Sequence, residues 1–305
     1  YLSQDFGAKV FCFSVKVDHE MLFFGFNVSS LPAKIKGWRS SSLTTLSFLE
    51  SVQPTRAVSR IAFKYFSQAR LQKRTDGITG VVEPKKMMFA GLGSIGSNLS
   101  FYLSNLEITD IVLCDPDILA LENINRHLLS FNDVGSYKVE RLAKYLTFNN
   151  PFLNVSIRQT SFVEVMQKEL ALINSMDIIF CAIGKDSIEN YILQYLANGQ
   201  ITKPVMLFWV EPYLLGGHAL YITPSSGFSL KNMEDNGYYR YNMIAPETYA
   251  DPKYRLLLRE AGCQGSYVPY GKAAIAIFFA NLIPHLFAII NELPKQNKVF
   301  SYLGD

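Results

Sequence analysis

Lys86-Met-Met-Phe-Ala90-Gly91-Leu-Gly93-Ser94-Ile-Gly96-Ser-Asn-Leu-Ser-Phe-Tyr-Leu-Ser-Asn105 joins an apolar run, three glycines and a helical pattern without a break. The apolar run Lys86–Ala90 reads as a short buried strand and Ser94–Asn105 as a helix. Glycines at the turn between them let the backbone approach a phosphate. The helix start adds free N–H groups and the positive end of its dipole. A tight strand–helix turn without ligand has the same pattern. The motif alone does not separate a nicotinamide or flavin enzyme from an ATP user.

The flanking sequence narrows the choice. Asp110–Cys114 reads as a second strand ending in Cys114-Asp115-Pro116-Asp117. An acid about twenty positions past the glycines is where a ribose hydroxyl is held, and either Asp115 or Asp117 suits. Acids at strand ends also cap the element that follows. Beyond them come Glu122-Asn123-Ile-Asn125-Arg126-His127 and, a little further on, Lys138. Hydride transfer has no need of an arginine and a lysine converging on a phosphate loop. Attack at the α-phosphorus of a nucleoside triphosphate does, because the negative charge must be held.

Further out, helices are expected at Tyr137–Thr147, Glu164–Ile173 and Ser187–Asn198, and strands at Val155–Gln159, Asp177–Ala182 and Pro204–Val210. Such alternation predicts an α/β fold: a Rossmann-like, doubly wound, mostly parallel sheet with helices on both faces. Ahead of it, residues 1–50 read as an N-terminal linker region or partial domain. They hold short apolar stretches at Val10–Val15 and Met21–Phe26 and a Ser-rich segment, Ser40 to Ser47. Residues 51–305 read as the main domain, and 51–74 have helical spacing that carries Arg60. From about 225 to 271 the pattern dissolves into a polar and aromatic loop, of a length that usually serves function.

Composition limits the remaining classes. A net charge of +3 over 305 residues, with the basic residues scattered, argues against a nucleic-acid or membrane partner. The apolar run Ala273 to Ile290 approaches membrane length but contains Asn281, Pro284 and His285, which favours a buried helix. Cys12, Cys114, Cys181 and Cys263 form no CxxC pair, as suits a chain without structural zinc or disulfides in a reducing cytoplasm. A first residue Tyr1 in place of Met reads as a partial chain.

Gly91-x-Gly93-x-x-Gly96, Asp115-x-Asp117, Asn123-x-x-Arg126, Lys138 and Asn149-Asn150-Pro151 together resemble the E1/ThiF superfamily of adenylating enzymes. The resemblance implies ATP with Mg2+. It assigns Gly91, Gly93, Ser94 and Gly96 to the phosphate loop, Asp115 to the ribose with Asp117 beside it, Asn123 and Arg126 to the triphosphate, and Lys138 to the phosphates. Arg60 resembles the arginine that dimers of this family insert into the neighbour's site, which implies a homodimer. The family's magnesium aspartate falls at Gly184, so Asp186 stands in as the metal candidate; it equally suits the cap of a helix starting at Ser187. Cys263, in Ala261-Gly-Cys-Gln-Gly265-Ser266, matches the family's thioester cysteine.

More narrowly, RHLL…VGSYKVERLAKYL, VSRIAFKYFSQARLQKRTDG, WVEPYLLGGHALYITP and AGCQGSYVPYG are similar to bacterial fused E2–E1 ligases of anti-phage CBASS operons. That likeness implies adenylation of the C-terminal tail of a nucleotidyltransferase (CD-NTase), thioester transfer to Cys263, and an E2-like domain in cis or in trans. Glycines 216 and 217 would then let the extended tail approach the backbone, with His218 read as structural in preference to a base. Two alternatives remain: a catalytically weak E1-like binding or regulatory module, which Gly184 favours, and a sulfur-carrier-activating ThiF/MoeB-type enzyme. The missing CxxC pairs argue against the second.

Overall fold

A computed structural model describes residues 8–17, 20–29, 57–64, 85–106, 108–224, 226–259 and 266–304. The chain divides into two units, Tyr1–Arg74 and Thr75–Asp305, where the sequence reading drew its line at 50/51.

In the first unit β1 (Lys9–Val17) and β2 (Glu20–Val28) form an antiparallel hairpin, and β3 (Val58–Ile61) pairs with β2. The helical spacing expected across 51–74 is therefore a strand over 58–61. Its register sets Val28 against Val58 and Phe26 against Arg60, so ladder pairing overrides a weak periodicity.

The second unit holds β4 (Lys85–Ala90), α1 (Ser94–Leu103), β5 (Ile108–Cys114), α2 (Lys138–Asn149), β6 (Asn154–Arg158), α3 (Phe162–Lys168), α4 (Leu170–Asn174) and β7 (Ile178–Cys181). It continues with α5 (Asp186–Ala197), β8 (Val205–Val210), β9 (Gly216–Ile222), the short strands β10 (Glu234–Asp235) and β11 (Tyr238–Tyr239), α6 (Pro246–Ala250), β12 (Leu258–Arg259), β13 (Ser266–Tyr267), α7 (Lys272–Glu292) and β14 (Lys298–Leu303). The main sheet has the order β14-β9-β8-β7-β4-β5-β6. The five strands from β8 to β6 are parallel, and β9 and β14 extend them antiparallel.

The strands are apolar throughout because both faces are covered. Met87 and Phe89 of β4 point to one core, together with Leu99 of α1, Leu142 of α2 and Phe278 of α7. Met88 and Ala90 point to the other, with Val165 of α3 and Ile192 of α5. This is the doubly wound α/β architecture. The helix expected over Glu164–Ile173 is broken at Glu169, which leaves helical geometry between α3 and α4. The long helix α7 is apolar and long enough to cross a membrane, but Ile275, Phe278, Phe279, Leu282 and Leu286 pack into the first core.

Candidate functional site

The glycine loop is built by sterics. Gly91 sits at φ +82°, and a Cβ there would lie 2.8 Å from the carbonyl oxygen of Ala182. A Cβ on Gly96 would run into the carbonyl oxygen of Gly91, so Gly96 lets α1 close onto the strand end. Gly93 has open space where its Cβ would be. It precedes α1 and supplies no side-chain cap, which leaves the first amides of the helix for an anion.

Leu92, in the middle of the loop, is held at both ends. Its N–H donates to Asp115 Oδ2 at 2.6 Å, and its carbonyl accepts from His127 Nε2 at 2.7 Å. Leu129 N donates to His127 Nδ1 at 3.0 Å, which makes Nε2 the protonated nitrogen. Burial lowers the His127 pKa to about 4, in keeping with a neutral ring. The other oxygen of Asp115 accepts from Asp117 N at 2.8 Å. Burial raises the pKa of Asp115; the Leu92 amide and Lys138 only partly offset it. Asp115 is thus a buried brace of the loop. Lys138 is buried as well, with Nζ 2.8 Å from Asp117 Oδ2 and 4.0 Å from Asp115 Oδ1.

One cavity of about 390 Å³ opens above the strand ends. Gly93, Ser94 and Ile95 line it on one side, with Asn123 and Arg126 from the segment after β5. Asn98 fixes that segment, donating to the carbonyls of Ser94 (2.7 Å) and Arg126 (3.2 Å). Facing them are Ala182, Ile183 and Gly184 past β7, Phe208, Trp209 and Val210 of β8, and Val268 and Tyr270. Tyr270 bridges the two sides. Its hydroxyl lies 2.5 Å from Ser94 Oγ, and the Arg126 guanidinium carbon lies 5.7 Å from its ring centre.

Of the residues predicted from sequence, Gly93, Ser94, Asn123 and Arg126 line this cavity. Gly91, Gly96, Asp115, Asp117 and Lys138 shape and brace the loop behind it. Asp186 is the first residue of α5 and accepts from the Tyr239 hydroxyl at 3.3 Å. Helix α5 thus begins one residue earlier than expected, with Lys185 and not Asp186 at its cap. Among the described residues no group of three or more His, Cys, Asp or Glu side chains is placed to hold a metal. Arg60 is exposed on β3 of the first unit. Cys263 lies outside the described residues. Cys114 and Cys181 are buried in strands, and burial pushes the Cys114 thiol up to about 12, so it is not an available nucleophile.

The sequence reading missed His127, Tyr270, Trp209 and Glu211. Glu211 is 2% exposed and His218 fully buried, with His218 Nε2 2.8 Å from Glu211 Oε1. Glycines 216 and 217 do not line the cavity above the strand ends; Gly217 borders a separate one of about 290 Å³ with Phe278, His285 and Phe300. A Cβ on Gly216 would strike the Glu211 carboxylate, and one on Gly217 would lie 2.5 Å from the Phe278 ring. Both are needed for internal packing, which a glycine pair in sequence does not distinguish from a peptide-binding surface.

The ThiF family profile matches residues 70–223, just over half of the chain. A Pseudomonas aeruginosa protein described as ATP-dependent ubiquitin transferase-like protein Cap2 is 26% identical over 233 residues, 74% of this chain and 39% of its own length. A ubiquitin-like modifier-activating enzyme 5 of Drosophila persimilis is 32% identical over 74 residues, 24% of this chain and 19% of its own. The chain therefore spans about two fifths or less of these curated relatives. Among solved structures, the crystal structure of PaaA aligns with a TM-score of 0.52 at 14% identity, over 79% of this chain and 73% of that one. That likeness concerns the fold.

Proposed function

The chain belongs to the ThiF family, and from that premise we propose that it is the E1-like part of a conjugation enzyme that uses ATP to activate the C-terminal carboxylate of a protein partner. The observation that carries this reading is the single cavity shared by Gly93 and Ser94 of the uncapped α1 start, Asn123, and Arg126. It offers backbone N–H groups, one amide side chain and one guanidinium to a polyphosphate.

The partner's carboxylate oxygen attacks the α-phosphorus, the bond to the β-phosphate bridging oxygen breaks, and pyrophosphate leaves. Arg126 and the first amides of α1 stabilise the charge that gathers on the phosphates. Asp115 and His127 keep the loop from yielding, and each oxygen of Asp115 retains a lone pair for a ribose hydroxyl. Lys138 and Asp117 complete the phosphate side of the site from behind the loop. The thiolate of Cys263 then attacks the acyl carbon of the adenylate and releases AMP.

A single carboxylate, Asp186, together with phosphate oxygens and water is a common way to hold Mg2+. Asp186 is the carboxylate we assign to an ion that arrives on the nucleotide; it stands at the start of α5, outside the cavity lining. We further assign the protein to anti-phage CBASS defence in the cytoplasm, with a CD-NTase as partner, an E2-like domain in cis or in trans, and a homodimer in which Arg60 serves the neighbour's site. The likeness to Cap2 over 74% of the chain supports that assignment.

The second reading is a catalytically weak E1-like module, favoured by Gly184, exposed at φ +66°, where the family carries its metal acid. Cys263→Ala separates the two. On the adenylation reading the variant retains ATP–pyrophosphate exchange with the partner but forms no thiol-labile adduct by intact mass. A weak module shows neither exchange nor adduct even as the unmodified protein.

A further inference from the structure

Glu211 is a buried carboxylate with four donors or partners gathered on it. Besides His218, it accepts from Met243 N at 2.7 Å, Ile244 N at 2.8 Å and the Tyr249 hydroxyl at 3.4 Å. Burial raises its pKa, but the His218 contact and the two amides outweigh this and hold it below the ordinary range. A carboxylate this buried is costly unless fully bonded. Its bonds all serve one arrangement: the irregular segment around 239–249 docked against β8 and β9.

That arrangement ends on Trp209. The His218 ring stacks on Trp209 with centres 4.7 Å apart and planes 17° apart. Tyr239 packs 5.4 Å away, and Trp209 Nε1 donates to Asn242 Oδ1 at 3.4 Å. Ser301 Oγ lies 3.0 Å from His218 Nδ1, so both ring nitrogens are engaged. Trp209 is thereby fixed from three sides, while it lines the cavity.

The sheet order says which part of a substrate meets it. β5, which carries Asp115 at its end, flanks β4 on one side, and β7 and β8 lie on the other. With the ribose toward Asp115, the activated carboxylate and the residue that bears it lie toward β8. There the wall is Phe208, Trp209, Val210 and Val268, and among the described residues the one charged side chain lining the cavity is Arg126, on the phosphate side.

We propose that Trp209, held by the buried Glu211–His218 pair, is the wall of the acyl subsite and selects tails whose terminal residue is uncharged. This rests on the adenylation reading. Trp209 is the specificity-determining residue, and Glu211 acts through it as a positioning residue.

The test uses the 305-residue chain and four non-hydrolysable acyl-adenylate mimics, the N-acetyl-glycyl, -alanyl, -lysyl and -glutamyl sulfamoyladenosines, alongside ATP itself. Trp38→Phe leaves Trp209 as the chain's one tryptophan for fluorescence. The glycyl and alanyl mimics should bind at least about tenfold more tightly than the lysyl and glutamyl ones and perturb Trp209 emission. Trp209→Leu and Glu211→Gln should bring the four mimics to within about twofold of one another, so the ratio of glycyl to lysyl and glutamyl binding is the readout and ATP binding is measured alongside. If Glu211→Gln fails to fold, Trp209→Leu carries the test alone. Equal binding of all four mimics, or a preference untouched by Trp209→Leu, overturns the inference and leaves adenylation standing. Binding of neither ATP nor any mimic overturns the adenylation reading and this inference with it.

Discussion

Leu92 shows how much of the phosphate loop depends on single hydrogen bonds. Its amide and carbonyl are both spoken for, by Asp115 at 2.6 Å and His127 at 2.7 Å. Because both oxygens of Asp115 accept from backbone N–H groups, Asp115→Asn must turn an NH2 toward a donor. The loss should be roughly 1–3 kcal/mol of stability together with weaker ATP binding, measurable by denaturant unfolding and titration. The acid was legible from sequence as a nucleotide-site residue, on spacing alone. Its bracing of the loop was not legible, because which backbone amide a carboxylate meets depends on the turn that three-dimensional closure creates. His127 was visible only as a member of a polar cluster, and no local signal marks a histidine whose partner lies thirty-five residues earlier.

At the scale of elements, the parallel strands and their helices were readable because each strand is an unbroken apolar run followed by a periodic helix. β9 and β14 were not. Gly216 and Gly217 read as an opening for a partner's extended tail, yet they are strand residues that make room for Glu211 and Phe278. The same steric logic gives a prediction for α1. Gly96→Ala places a methyl against the Gly91 carbonyl and should push the helix off the strand end. The expected cost is about 2–3 kcal/mol or more, with a lower Tm and loss of ATP binding. The reading of β3 as helix failed for the converse reason, since a four-residue strand is decided by its neighbour in the ladder and not by its own period.

Across the second unit, two buried titratable groups pull stability in opposite directions. The Glu189 carboxyl is 5% exposed with one oxygen lacking a partner among the described residues, and burial, reinforced by Asp186, raises its pKa to about 7. The folded chain keeps a proton that the unfolded chain releases from about 4.5 upward, so this contribution falls as pH rises toward 7. His127 works the other way: the unfolded chain takes up a proton below about 6.5 that the folded chain refuses until about 4. Between about pH 5 and 6.5 these two contributions largely offset each other. Glu189→Gln removes one side of that balance, and the variant should lose roughly 1–3 kcal/mol on going from pH 7 to pH 5, by urea unfolding at each pH.

The whole account turns on whether the cavity beside Arg126 activates a carboxylate with ATP. Isotope exchange between pyrophosphate and ATP tests this most directly, run on the full-length protein with the proposed CD-NTase partner, intact and lacking its C-terminal residues. The expected result is exchange that needs the intact tail and falls roughly a hundredfold or more in Arg126→Ala. Absence of exchange with the intact partner, or exchange unchanged by Arg126→Ala, would contradict it.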